Sequence, residues 1–209
     1  MNKAESKKQH KSECQMLQEK IKIYIDNNVW DLLWKFNVNL NVELPHDEFE
    51  IFITGEAKFE FAGMPIEIKE YAQQFMNARK IRIDDYFGFY NSSLPEGEQR
   101  NGGFGSELNP QIGGRFATPS ERDFLQKESS SISIKKMKTG LFKHEADVSL
   151  GARSLIAIVL TGDKRAVLKR ARTEWSGSII DVKEFDGSVP FGFFLRKELI
   201  NQTFSAAIE

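Results

Sequence analysis

The chain has 209 residues, 40% hydrophobic and 28% charged, with a formal net charge of -1. That composition excludes a collagen-like or intrinsically disordered chain and is long enough for one domain with a sizeable core. The longest apolar stretch, between Ser154 and Thr161, falls far short of the ~20 residues of a membrane-spanning helix. The single cysteine, Cys14, excludes an internal disulfide and a Cys-based zinc cluster.

The opening MNKAESKKQHKSE is polar and basic and lacks the apolar core of a secretory signal. With one cysteine, the expected location is the reducing cytoplasm. Residues 1–20 read as a basic helical arm. KIKIYID alternates strictly, with Ile21, Ile23 and Ile25 on one face, and predicts a first strand. VWDLLWKF (29–36) carries Val29, Leu32, Leu33 and Phe36 at helical spacing, with Asn28 as its expected N-cap.

ELPHDE reads as a loop, FEIFIT (49–54) as a second strand, and GEAKFEFAG as a helix ended by Gly63 and Pro65. A further helix is predicted from about Glu67, and IRIDDYFGFYN (81–91) leans to β-structure. Residues 92–120 are dense in proline and glycine and read as a long loop, part of an insertion at about 92–130. SERDFLQKE (120–128) predicts a helix capped by Ser120. LFKHEADVSLGARSLI (141–156) reads as a helix, AIVLTGD (157–163) as a strand, KRAVLKRARTEW (164–175) as a helix and SIIDVKEF (178–185) as a last strand. The terminal FGFFLRKELI is strongly apolar and fits either a packing partner of the last strand or a homodimer contact. Strands alternating with helices imply an α/β fold in three layers, a central mainly parallel sheet of four or five strands flanked by helices, over residues 21–209.

Four acids stand where such a sheet concentrates function. Asp26 ends the first strand and Asp163 ends the strand AIVLTGD. Glu60 lies in the first turns of the helix after FEIFIT, and Asp147 lies near the start of its helix. Ligands of open α/β sheets bind at the carboxyl ends of the strands. Carboxylates gathered there suit a hard divalent cation, and metal held by carboxylates is common equipment for cutting phosphodiesters. Taken singly, each acid also fits a blander role: turn or cap residues for Asp26 and Asp163, a solvated helix acid for Glu60 with Glu56 as rival, and a cap for Asp147 with Glu145 as rival.

The order and spacing of these segments resemble the PIN-domain nucleases. IYIDNNVWDLL is similar to that family's opening strand and acid. Thr54 to Glu60 matches its second acid, and DVSLGARSLIAIVLTGDK its third acid and its T-x-D turn. KRAVL follows the turn where small toxin-type members carry Asp-Phe, and the stretch from Glu60 to Asp147 is longer than in compact members.

The resemblance implies Mg²⁺- or Mn²⁺-dependent endoribonuclease activity, in a toxin–antitoxin, phage-defence or RNA-turnover setting, with an inhibitor or antitoxin protein as a partner to consider. Asp26 and Asp163 would be direct metal ligands, and Asp147 a ligand directly or through water. Glu60 would orient or deprotonate the attacking water. Asn27 and Thr161 would fix carboxylate rotamers from behind. Lys164, Arg165 and Arg153 would contact phosphates. Two alternatives stay open: a non-catalytic PIN-like module that binds RNA or protein, and a structure-specific DNA nuclease. The remaining motifs point elsewhere less well. His10, His46 and His144 have no metal spacing, no G-x-S-x-G is present, and GGFGS lacks the Lys-Ser/Thr of a phosphate loop.

Overall fold

Alternation in the strands divides the interior into two cores, one on each face of the sheet. Ile23 and Ile25 of β1 (Ile21–Ile25) face one side, and Tyr24 faces the other. The same division runs through β2 (Phe49–Thr54), where Phe49, Ile51 and Ile53 oppose Phe52, and β4 (Ile158–Thr161), where Ile158 and Leu160 oppose Val159. With β3 (Arg82–Asp84) and β5 (Ile179–Asp181) these strands form one five-stranded, all-parallel sheet of order β3-β2-β1-β4-β5. The computed structural model describes residues 19–61, 63–87, 115–133, 135, 137–138 and 140–206. The expected basic arm, apart from Glu19 and Lys20, and the core of the 92–120 loop lie outside these residues.

Helices cover both faces, as buried strands of a parallel sheet require. The first core takes α1 (Asn27–Lys35), the short α2 (Leu40–Glu43), α4 (Ile66–Arg79) and α8 (Phe191–Ala206). The second takes α5 (Pro119–Glu128), α6 (Glu145–Arg153) and α7 (Ala166–Glu174). A five-residue helix, α3 (Ala57–Phe61), follows β2. The apolar carboxyl-terminal segment is thus a packing partner: Phe191, Phe194 and Leu195 are buried in the first core. Among the described residues, no helix is long and apolar enough to cross a membrane.

Several sequence expectations need correction. Asp26, not Asn28, caps α1, because its carboxylate accepts from the Asn27 N–H. Thr118 rather than Ser120 caps α5, in a capping box closed by Glu121 with Pro119 at the first helical position. Phe124 of that helix is fully buried in the second core. The helix read over 141–156 is only Glu145–Arg153. The last strand is three residues, followed by a 3-10 turn (Val182–Glu184) capped by Asp181.

Candidate active site

The sheet order reverses between β1 and β4. The chain steps from β1 through β2 to β3 on one side of that junction and from β4 to β5 on the other, and a crevice opens at the carboxyl ends of the parallel strands. Asp26 follows β1 and Asp163 follows β4, so both stand at its mouth. Glu60 arrives on α3, which the loop after β2 delivers to the same edge. Asp147 arrives in the first turn of α6. All four line one cleft of about 270 Å³, together with Asn28, Met137, Lys143, His144, Ala146 and Arg165.

Asp26 is the most constrained of the four. Its Oδ1 accepts from the Asn27 N–H at 2.7 Å, and its Oδ2 accepts from Thr161 Oγ1 and Asn28 Nδ2, each at 2.6 Å. The residue is 8% exposed. Burial pushes its carboxyl up to about 6, against the opposing pull of the Thr161 and Asn27 hydrogen bonds, with Glu60 and Asp163 adding repulsion. Glu60 is likewise raised, first by burial and then by Asp147 and Asp163, while the hydrogen bond from Asn27 Nδ2 to its Oε2 (3.1 Å) opposes the shift. The cleft therefore gathers four carboxylates against two cations, Lys143 and Arg165.

The supporting polar residues tie the acids to one another and to the sheet. Asn27 ties Glu60 to the Ala57 carbonyl (2.8 Å) as well as to β1. Its own Oδ1 is buried without a hydrogen-bond partner. Thr161 holds Asp26 with its hydroxyl proton and accepts from the Asp163 N–H at 3.0 Å. Asn28 bridges the same two loops, since its Oδ1 accepts from the Gly162 N–H at 2.7 Å. A side chain on Gly162 would press on Asn28 and Lys183. Asp147 Oδ2 meets His144 Nδ1 at 3.0 Å. His144 sits in the left-handed region (φ 69°) ahead of α6, a conformation rare for a residue with a side chain.

The rival acids lie outside the cleft lining, and Oε2 of Glu56 is buried without a hydrogen-bond partner. Glu145 accepts from the Phe142 N–H at 2.9 Å, and Glu56 is buried outside the cleft lining. Arg165 lines the cleft, 3.4 Å from Asp163 Oδ2. Lys164 does not line it. It lies in the adjoining groove, 3.5 Å from Asp181. Arg153 does not meet the expectation of a phosphate contact. It is fully buried, bonds Asp84 Oδ2, Ser149 and the Asp85 carbonyl, and stacks on Phe87. The sequence reading missed Lys143 as a cleft residue and gave Asn28 only a capping role; the short loop before Asp147 and the pair of asparagines after Asp26 were the available signals.

Among the described residues, no three His, Cys, Asp or Glu side chains stand close enough to enclose an ion as placed. Mg²⁺ takes one or two carboxylates directly and keeps several waters. The donor set, all hard oxygen with mutually repelling charges, fits a hydrated ion held partly through water. No protein-family model, curated protein or solved structure matches the chain in comparisons with each.

Proposed function

We propose that this chain is a metal-dependent endoribonuclease of PIN type, hydrolysing RNA phosphodiester bonds in the cleft at the β1/β4 junction. One observation carries the reading. Four carboxylates from four separate segments, Asp26, Glu60, Asp147 and Asp163, line a single cleft at the sheet edge where α/β proteins bind ligands. A core acid that merely caps a turn has no reason to meet three others.

A bound Mg²⁺ or Mn²⁺ would supply a nucleophilic water near neutral pH and neutralise charge on the phosphate. Asp26, Asp163 and Asp147 would hold it. Glu60, its carboxyl raised by burial and its neighbours, is poised to accept the proton of the attacking water as the P–O bond to the leaving sugar oxygen breaks. The leaving oxygen takes its proton from solvent. Thr161, Asn28 and the Asn27 N–H keep Asp26 in one rotamer, and Asn27 does the same for Glu60. Arg165, at the rim, is placed to meet a phosphate oxygen.

The test is cleavage of labelled single-stranded RNA and DNA with Mg²⁺ or Mn²⁺, comparing wild type with Asp26→Asn. Metal-dependent cutting of RNA by wild type alone is the expected result, with activity falling by at least about 100-fold in the variant, the scale of losing one transition-state interaction. Equal cutting by both proteins would sink the reading. RNA binding without cutting would transfer it to a non-catalytic module, and cutting confined to DNA would transfer it to a DNA nuclease.

A further inference from the structure

A second hollow, about 640 Å³, adjoins the carboxylate cleft and shares Asp163 with it. One wall is α7, with Lys164 two residues before it. Arg165, Lys169 and Arg172 follow one another at i, i+4 and i+7, so they form a single stripe along the helix. At 1.5 Å per residue the stripe runs about 10 Å. It begins at Arg165, inside the carboxylate cleft, and continues into the groove through Lys169 and Arg172. All three are exposed. Arg165 is shared with Asp163 and Lys164 with Asp181, but neither Lys169 nor Arg172 has an ion pair among the described residues. Arg170, on the opposite side of the helix, is bound to Glu128 and takes no part.

The floor of the groove is apolar, supplied by Leu168, Ile179 and Ile180. The rest of its wall is acidic, with Glu184 and Glu198, and with Asp163 and Asp181, which are paired to Arg165 and Lys164. Phosphates would be repelled from that wall and drawn to α7. Exposed base edges carry amino donors that carboxylates accept. A groove with cations on one side, an apolar floor and acceptors on the other matches an unpaired strand lying with its backbone on α7 and its bases turned inward. A duplex has its base edges hidden between two phosphate rails and does not fit.

We propose that this groove is the track for the single-stranded RNA flanking the cut, with Lys169 and Arg172 gripping successive phosphates and Arg165 handing the strand to the carboxylates. The proposal rests on the nuclease reading for its choice of occupant, and its test separates the two. Binding of fluorescein-labelled single-stranded RNA to the full chain carrying Asp26→Asn is followed by anisotropy across a salt series with Mg²⁺ present. Two further forms add Lys169→Ala with Arg172→Ala, or the distant control pair Lys69→Ala with Arg122→Ala. Each phosphate contact on a single strand contributes about 0.7 to the slope of log affinity against log salt.

The track pair is expected to lower the slope by about 1.4 and affinity by tenfold or more, the control pair to leave both unchanged, and duplex RNA to bind more weakly than the single strand. Equal slopes for the two pairs, stronger duplex binding, or no RNA binding by the parent would each overturn the track. If wild type cuts RNA but the slopes are equal, the nuclease reading stands and the track falls. If wild type does not cut but the track pair alone loses slope, the track stands as a binding groove and the nuclease reading falls.

Discussion

At the scale of single residues, Asp26 shows a site in tension with the fold that carries it. Its carboxyl is held at about 6 in the folded chain, mainly by burial, against an ordinary 3.8. A carboxyl raised by folding is most favourable while protonated. Its contribution is therefore intact below about pH 4 and is lost as pH rises through about 6. By linkage the loss is on the order of 2–3 kcal/mol. Asp26→Asn removes the charge but, with the amide nitrogen in place of Oδ2, also forfeits the acceptor shared by Asn28 Nδ2 and Thr161 Oγ1, each bond worth about 1 kcal/mol. The variant is therefore expected to be more stable than wild type by about 1 kcal/mol at pH 8 and less stable at pH 4. Urea denaturation at the two pH values measures this, and a wild type at least as stable as the variant at pH 8 would contradict it. The sequence made Asp26 visible as an acid at a strand exit. It could not show the clamp on it, because Thr161 lies 135 positions away and only the β1/β4 pairing brings the two together.

At the scale of elements, period and composition made four strands, a β-leaning fifth segment and most helices legible, because alternating apolar residues in Ile21–Ile25 and helical spacing in Val29–Phe36 are local properties. Boundaries fared worse where the deciding partner is distant. Helix α6 is buried from Val148 through Arg153, so its polar face cannot be told from its core face by spacing alone. Arg153 belongs there because Asp84 waits at the end of β3. Burial alone would raise the Asp84 carboxyl, yet Arg153 and Arg115 hold it below the usual carboxylate range, and Tyr24 donates to it at 2.8 Å. Arg115 also reaches fully buried Glu121 at 2.6 Å, so this network fastens α5 and α6 to the sheet. Arg153→Ala is expected to cost about 3 kcal/mol, the lower end for breaking a buried charge pair because Arg115 remains. In the Asp26→Asn background it should leave the salt slope of RNA binding unchanged. A fall in slope with the urea midpoint unmoved would instead return Arg153 to the phosphate contacts.

At the scale of the whole molecule, the site exists only when the sheet does. Asp26 and Asp163 are separated by more than a hundred residues of chain, and Glu60 and Asp147 come from helices on opposite faces. The unfolded chain scatters these carboxylates, so a divalent ion that needed several of them would bind the folded state selectively. Such a ligand stabilises by RT ln(1 + [L]/Kd), about 2.7 kcal/mol at one hundred times Kd. For a chain of this length each kcal/mol moves the midpoint by roughly 2–4 °C. Mn²⁺ at saturation and pH 8 is therefore expected to raise Tm by about 5–10 °C over a sodium chloride control of matched ionic strength. The rise should shrink at pH 5, where Asp26 with its carboxyl at about 6 is mostly protonated and must lose a proton to serve as a ligand. Asp26→Asn should remove most of it at either pH. An equal rise in wild type and variant would place the ion elsewhere on the surface, and no rise at pH 8 would leave the four carboxylates without the cation that their mutual repulsion calls for.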